Sequence, residues 1–375
     1  MLTREVAEGK EKRMNELQND KKFVMMRNDL KEAFVLYSFW DEAVTKTKNN
    51  MKLKKDGSGQ KIAANQVPQF QVSSLMEGAR KCRLNQAVSE KAAYKKLIEI
   101  MCDGNEQKKM ELIDEMAALH PELGFNEDTL AVYGGNPVWK RWAANVFGVG
   151  PICFAALYGF LHPEEVPYAS NLVSYCGLTA DSKRVKGDKV KYNPTLRSKM
   201  LGAIAPSILK PRVSTDKTTG EKIEKISPYA IIYWRSLNNI LERTLREIAA
   251  GQRNKYGEKD PNKLPAMSVI HAMKMATRIM IKYLLIDFYD AFCYIYNIPV
   301  AVPYLVEKKG LIHAGNSLTD FRTYLDLSPK QVKEVTMGFV PSYKAEKARY
   351  AALKVQFSDG STEPEDSDES EDDVD

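Results

Sequence analysis

The sequence predicts a mainly α-helical protein. Three observations favour this class: apolar residues recur at three- and four-residue spacing, few stretches alternate with a period of two, and Gly- or Pro-containing segments separate the periodic blocks. With 375 residues, of which 44% are hydrophobic, the chain is long enough to form two or three domains. No internal repeat recurs at a fixed period. We therefore expect a multi-helix protein built from several successive segments.

Two helical regions are predicted in the first third of the chain. Residues 1–55 form an N-terminal helical segment, because apolar residues such as Phe23, Leu30 and Phe34 recur at helical spacing. The lysine-rich, glycine-containing stretch 49–61 has no apolar period, which predicts a flexible connection. A helical domain is expected over residues 62–125, with a break near Gly104.

The third predicted domain covers residues 126–298. Within it, residues 211–227 are polar and contain Thr219-Gly220, which predicts a loop or a small hairpin. Helices are expected from Pro228 to about Gly251 and from about Pro265 to Tyr296.

A C-terminal helical extension is predicted over residues 299–357, with one helix from Pro329 and another around residues 344–353. The last 18 residues, 358–375, contain ten carboxylates and no basic residue. Such a segment cannot bury apolar surface, so we expect a disordered acidic tail.

The charge distribution points to a polyanionic partner. The whole chain has a formal charge of +6, but residues 1–357 contain 55 basic and 39 acidic residues, a net charge of +16. A body this basic favours DNA or RNA as partner, although a lysine-rich solvated surface is the simpler alternative. Neither a secretory signal nor an apolar run of about 20 residues is present, so we expect a cytoplasmic protein without a membrane partner. A homo-oligomer is compatible with the sequence.

The five cysteines indicate neither disulfides nor a metal site. They are odd in number, far apart and without a C-x-x-C pair or a histidine at ligand spacing. Each has apolar or small neighbours, which predicts packed, reduced thiols. We expect no cofactor and no bound metal.

The stretch "VFGVGPICFAALYGFL", residues 146–161, interrupts helix-forming sequence with two glycines and a proline. Gly148 and Gly150 permit a tight turn between helices, and Pro151 suits the first position of the second helix. Exposed N–H groups of Gly148, Val149 and Gly150 could then face a phosphate. The alternative is an ordinary helical hairpin without a ligand.

A strongly basic loop follows. Residues 183–199 contain one acid, Asp188, and seven basic residues, namely Lys183, Arg184, Lys186, Lys189, Lys191, Arg197 and Lys199. The pair Asn193-Pro194 predicts the N-cap and first turn of the next helix. This loop and the hairpin together predict two contacts to a nucleic-acid backbone.

In this region the chain resembles the C-terminal transposase domain of the Piv-like, RNA-guided insertion-sequence recombinases, which is built around a helix-hairpin-helix motif. The similarity covers roughly residues 140–290. It rests on "GVGPICFAALYGFLHPEEVPYASNLVSYCGLTADSKRVKGDKVKYNPTLRSKMLGAI", "SPYAIIYWRSL" and "HAMKMATRIMIKYLL". The matching positions are Gly148, Gly150, Pro151, Leu172, Tyr175, Gly177, Leu178, Leu196, Arg197, Ser227, Pro228, Tyr229, His271 and Ala276. The resemblance implies a DNA-engaging protein from a mobile element, a virus or a prokaryotic host.

Two departures from that family bear on catalysis. Its members begin with a ribonuclease H-like domain whose metal-binding Asp follows a hydrophobic strand, whereas residues 1–140 here are predicted to be helical. The family also carries a serine nucleophile before a glycine, where this chain has Lys186 before Gly187. We therefore expect a non-catalytic DNA-binding protein. The alternatives are a recombinase that uses the displaced Ser182 or a partner nuclease domain, and an RNA-binding or structural protein.

Two other features are predicted to be structural. Trp139 and Trp142 flank Lys140 and Arg141, and packing of the helix before the hairpin is favoured over stacking on bases. His271 begins an apolar helix, where a capping or packing role is favoured over general-base chemistry.

Overall fold

A computed structural model describes residues 4–51, 54–55, 61–62, 74–119, 126–131, 133–179, 182, 189–215, 220, 222–300 and 320–358. Helices hold most of these residues, which confirms the predicted mainly α class. Beyond Ser358, the predicted acidic tail lies outside the described residues. None of the described helices is long and apolar enough to cross a membrane.

The elements follow one another along the chain with short connections. The α-helices are α1 (Arg4–Asn19), α2 (Lys21–Met51), α3 (Ser74–Asp103), α4 (Glu106–Leu119), α5 (Glu127–Ala131), α6 (Pro137–Arg141), α7 (Pro151–Phe160), α8 (Ala169–Tyr175), α9 (Pro194–Lys199), α10 (Ala205–Leu209), α11 (Pro228–Ala249), α12 (Val269–Ile295), α13 (Pro329–Gly338) and α14 (Val340–Ser358). Two 3-10 turns cover Ala143–Asn145 and Phe321–Tyr324, and a π-helical turn covers Met200–Ile204.

Two short antiparallel strand pairs complete the secondary structure. Strands β1 (Lys54–Lys55) and β2 (Lys61–Ile62) pair within the connection that we predicted to be flexible. Strands β3 (Arg212–Thr215) and β4 (Lys222–Lys225) pair with Arg212 opposite Lys225. Of the loop and the hairpin expected before Pro228, the hairpin is therefore the one that forms.

The chain divides into two compact units. The first unit contains the described residues of Met1–Asn145, Val149–Tyr168 and Asp290–Lys309, and the second contains those of Val146–Gly148, Ala169–Tyr289 and Gly310–Asp375.

The core of the first unit lies between α2, α3 and α7, which pack against one another. Leu30, Ile98 and Phe154 are completely buried there. The ring of Phe23 lies edge-on to Tyr296, with 5.2 Å between centroids. The break predicted near Gly104 is confirmed, because α3 ends at Asp103 and α4 begins at Glu106.

A buried ion pair joins α2 to the segment after α7. Arg27 and Glu164 are 5% and 2% exposed, and Nη2 of Arg27 donates to Oε2 of Glu164 at 3.1 Å. The guanidinium also lies 4.8 Å from the centre of the Phe23 ring. Burial opposes ionisation of Glu164, but hydrogen bonds from His162 and Arg27 and the charge of Arg27 outweigh it and hold the carboxyl pKa below its ordinary value. The pair is therefore charged at neutral pH.

In the second unit, the long helix α11 packs against the C-terminal helix α14. Nε of Arg349 donates to Oε1 of Glu242 at 2.8 Å, and Nδ2 of Asn238 donates to the Glu346 carbonyl at 2.9 Å. The helices predicted from Pro228 and from Pro329 both begin at these residues.

Four of the five cysteines are packed as predicted: Cys102, Cys153, Cys176 and Cys293 are buried. Burial raises the pKa of the Cys153 and Cys176 thiols to about 12, so both are protonated at neutral pH. The prediction is wrong for Cys82, which is exposed on α3. Its apolar sequence neighbours are separated from it by the turn of the helix, so they do not cover it.

Candidate nucleic-acid interface

The hairpin begins with a helix that is shorter than the sequence suggested. The side chain of Asn136 caps α6 by accepting from the N–H groups of Val138 and Trp139. The helix ends at Arg141, a 3-10 turn follows over Ala143–Asn145, and α7 begins at Pro151. Pro151 thus occupies the first helical position, as predicted.

Gly148 is required by its backbone conformation and by its neighbours. Its φ is +96°, a value that side-chain-bearing residues rarely adopt. A Cβ added here would lie 3.2 Å from the Cα of Ile208 and from the Cβ of Ser227. The close approach that we predicted for a ligand is thus made, at Gly148, by the chain itself.

The other two hairpin residues differ from Gly148 in their surroundings. Val149 is buried, with 4% of its surface exposed. Gly150 has a φ of −83° and no atom within 4 Å of an added Cβ. Of the two glycines, Gly150 therefore has open space beside it.

This contrast predicts different effects of alanine at the two glycines. Gly148→Ala should destabilise the fold by about 1–3 kcal/mol, because it forces a strained φ and a tight contact with Ser227. Gly150→Ala should cost less than about 1 kcal/mol, since its backbone conformation suits any residue. Urea unfolding followed by tryptophan fluorescence measures both. Equal shifts of the unfolding midpoint would contradict this description of the turn.

The end of α8 is closed by the glycine that the sequence singled out. Gly177 has a φ of +65°, and the N–H of Leu178 donates to the Val173 carbonyl at 3.1 Å. This is the usual glycine-terminated helix end. The ring of Tyr192 packs on Gly177, since an added Cβ would lie 2.6 Å from it.

The chain after the basic loop is anchored to α8. The N–H of Asn193 donates to the Tyr175 carbonyl at 2.9 Å, and its Nδ2 donates to the Tyr175 hydroxyl at 3.1 Å. The Asn193 side chain also accepts from the N–H of Leu196 at 2.9 Å, which confirms the predicted N-cap of α9. The residues around Asn193 are therefore held in a defined position.

Arg197 is fixed by two contacts. Its guanidinium lies 5.0 Å from the centre of the Tyr192 ring, and Nη1 donates to the Ser182 carbonyl at 3.2 Å. The π-helical turn that follows α9 has a local cause. Pro206 has no N–H to donate to Gly202, and the N–H of Ala205 reaches back to Met200 instead.

We call residues 189–215 the basic segment, because this stretch contains no Asp or Glu. Its six basic residues are Lys189, Lys191, Arg197, Lys199, Lys210 and Arg212. None of them makes an ion pair with another described residue. Lys189, Lys191, Lys210 and Arg212 are exposed, and Arg197 and Lys199 are half-buried. The predicted contacts Lys183, Arg184 and Lys186 lie outside the described residues.

Two of these basic residues, Lys210 and Arg212, were not among the predicted site residues. Arg212 lies 5.9 Å from the centre of the Phe147 ring, next to the hairpin glycine Gly148. The signal that could have identified both is the absence of acids, which continues as far as Thr215.

One helical stretch connects the basic segment with Gly148. It begins at Pro194 and continues to Leu209, and Ile208 near its end contacts Gly148. Lys199 and Ile208 are nine residues apart, which corresponds to roughly 13 Å along a helix. Phosphates follow one another about every 3.4 Å along the axis on each DNA strand. Gly148 and Lys199 would therefore contact phosphates several nucleotides apart rather than hold one phosphate together.

Ser182, the predicted alternative nucleophile, bonds to another hydroxyl. Its Oγ lies 2.7 Å from Oγ1 of Thr179, and its carbonyl accepts from Arg197. Among the described residues, no His, Asp, Glu or Lys forms a hydrogen bond with this Oγ. The surroundings described for Ser182 thus position the backbone of the loop.

Only one group of described residues has the spacing of metal ligands, namely His162, Glu164 and Glu165. Nη1 of Arg27 lies 3.0 Å from Nδ1 of His162 and also bonds to Glu164. A guanidinium at the centre of the group opposes a cation there. We interpret these residues as the surroundings of the buried ion pair.

The other two features behave largely as predicted. Trp142 is completely buried and Trp139 packs 5.4 Å from Phe154, which confirms a packing role for these tryptophans. His271 has an exposed side chain, while its N–H donates to Oγ of Ser268 at 3.1 Å. Ser268, rather than His271, thus caps α12.

Comparisons with protein-family models, with curated proteins and with solved structures found no match to this chain. The relation to insertion-sequence recombinases therefore rests on the sequence similarity described above and is a proposal.

Proposed function

We propose that this chain is a non-catalytic DNA-binding protein, related to the DNA-engaging domain of insertion-sequence transposases. The basic segment and the loop before it contact the phosphate backbone, and the helix-hairpin-helix around Gly148 provides a second point of contact. Such contacts carry little sequence information, so binding depends on backbone geometry and salt more than on base sequence.

The observation that carries this proposal is the fixed, acid-free character of the basic segment. Six basic residues within 27 positions have no carboxylate among them. Asn193 and Tyr192 attach the segment to the end of α8, so part of the ordering entropy is already spent before a ligand arrives. A solvated lysine-rich surface needs neither this anchoring nor the exclusion of acids.

The surroundings of Ser182 favour binding over strand transfer. A serine nucleophile is ordinarily activated by a base or another charge-stabilising group. The described partner of the Ser182 hydroxyl is the hydroxyl of Thr179, at 2.7 Å. Arg197 donates to the Ser182 carbonyl rather than to its hydroxyl.

Fluorescence anisotropy of the full chain with labelled duplex DNA, a four-way junction and structured RNA tests the proposal. We expect binding to DNA at low salt, with the tighter of the two DNA ligands distinguishing a duplex from a branched target. Tighter binding to RNA would redirect the function to RNA recognition. Failure to bind any of the three at low salt would overturn the proposal in favour of a structural role.

The contribution of the hairpin is tested with Gly150, because replacing Gly148 would strain the fold. Gly150→Val places a bulky side chain beside the exposed part of the turn. If the hairpin contacts DNA, this variant binds more weakly while its unfolding midpoint stays close to that of the wild type. Unchanged affinity in a folded variant would remove the hairpin from the interface.

A further inference from the structure

We propose that one face of α12 is a second surface for the phosphate backbone of duplex DNA. We call this face the α12 stripe and define it as His271, Lys274, Arg278 and Lys282. None of these residues belongs to the hairpin or to the basic segment. The inference rests on the proposed function, because it assigns a further surface to the same ligand.

The α12 stripe follows from helical geometry. Its members are three or four residues apart, so they lie on one face of the helix. His271, Lys274 and Arg278 are exposed and Lys282 is half-buried. The opposite face is buried through residues that also recur every four positions, namely Ala272, Ala276, Met280 and Leu284.

The charge of the α12 stripe is not neutralised by neighbouring residues. No Asp or Glu occurs from Val269 to Ile286, the part of α12 that precedes Asp287. Within the described parts of the chain, Lys274, Arg278 and Lys282 form no ion pair.

Elsewhere in the second unit, exposed cations are paired. Arg243 bonds to Glu247 at 2.7 Å, Arg349 to Glu242 at 2.6 Å, and Lys344 lies 3.3 Å from Glu224. These helices carry acids at the matching positions, and α12 does not. The absence of acids is therefore a property of this face rather than of the whole surface.

The spacing of the α12 stripe suits a regular polyanion. Lys274 and Lys282 are separated by eight residues, or about 12 Å along a straight helix. A single DNA strand presents about three to four phosphates over that axial length. A rigid, linear row of cations on a helix matches this array, and phosphate contacts of this kind fix the orientation of a duplex.

The acidic tail is the competing occupant. Residues 359–375 contain ten carboxylates and are attached directly to the end of α14. Seventeen residues can span roughly 55–60 Å when extended, so the length of the tail alone does not keep it from α12. We nevertheless assign the stripe to DNA, because evenly spaced cations match evenly spaced phosphates, whereas the carboxylates of the tail are unevenly distributed.

Lysine acetylation of the full chain, read by mass spectrometry with and without duplex DNA, identifies the occupant. We expect Lys274 and Lys282 to react readily in the free protein and slowly in the complex. Lys255 and Lys259, in the loop between α11 and α12, serve as internal controls and should react equally in both. Protection of the stripe lysines in the free protein would assign it to the tail, and reactivity in both states would leave a solvated face. Either result overturns the proposal.

A charge-neutralised variant gives the energetic readout. Lys274→Gln, Arg278→Gln and Lys282→Gln, combined, should weaken duplex binding about tenfold or more, because each lost backbone contact removes about 0.9 from the salt slope. The matched control combines Lys255→Gln, Lys259→Gln and Lys263→Gln. If wild-type protein binds DNA and the stripe variant binds equally well, this inference fails while the proposed function stands. If wild-type protein does not bind, the proposed function itself fails.

Discussion

Combined replacement of Lys189, Lys191 and Lys199 with glutamine is expected to lower the affinity for duplex DNA about a hundredfold at low salt. The three lysines lie in the acid-free basic segment without an ion pair among the described residues. Each phosphate contact that is lost also removes the release of counterions, so the dependence on salt should become less steep by about three units. Anisotropy titrations of wild type and variant at several salt concentrations give both quantities.

Arg197 is deliberately left unchanged in this variant. Its stacking on Tyr192 and its bond to the Ser182 carbonyl are internal contacts, and their loss would disturb the fold. The control again neutralises Lys255, Lys259 and Lys263, whose loop also carries Glu258 and Asp260. An equal loss of affinity in both variants would show that only net charge matters, and it would contradict a defined binding segment.

Glu164→Gln is expected to destabilise the protein by about 3–5 kcal/mol at neutral pH, because it leaves the guanidinium of Arg27 buried without a counter-charge. Both side chains are nearly inaccessible, at 6% for Arg27 and 2% for Glu164. The neighbouring substitution Glu165→Gln is the matched control. Glu165 is 49% exposed and contacts only the edge of the same group, so its loss should cost less than about 1 kcal/mol.

The pH dependence of this difference follows from the lowered pKa of Glu164. A carboxyl whose folded-state pKa lies below its unfolded value contributes stability above the unfolded value and loses it as pH falls through the folded one. The gap between wild type and Glu164→Gln should therefore be full at neutral pH and shrink in acid. Urea unfolding at both pH values measures it, and equal midpoints for Glu164→Gln and Glu165→Gln would contradict the buried pair.

Local signals allowed much of the fold to be predicted from the sequence. Asn193-Pro194 begins α9, Gly177 ends α8, and Pro228 begins α11, because caps depend on residues within one helical turn. The hairpin between β3 and β4 is likewise local, since Gly220 adopts a φ of +73° between the strands.

Features that depend on distant residues could not be predicted. Arg27 and Glu164 are 137 positions apart, and nothing local in the sequence marks either as buried. The helix before the hairpin ends at Arg141 although helix-forming residues continue. Trp142, completely buried, packs where the helix gives way to a 3-10 turn.

The site was predictable in its charge and less so in its shape. The basic residues of the segment were identified because acids are missing, which composition alone reveals. The contact of Gly148 with Ile208 and Ser227 was not, because these residues follow the hairpin by about 60 to 80 positions. Several positions that carry the family resemblance are buried, including Leu172, Leu178, Leu196 and Tyr229. The resemblance therefore concerns residues that form the helices as well as residues that could contact DNA.

The most direct test of the account is the affinity of the full chain for duplex DNA over a series of salt concentrations. The account predicts binding whose logarithm falls linearly with the logarithm of salt concentration, with a slope of about −3 or steeper, since at least three lysines of the basic segment contact phosphates. Absence of binding at the lowest salt, or an affinity that does not change with salt, would contradict the central claim that this protein binds the nucleic-acid backbone.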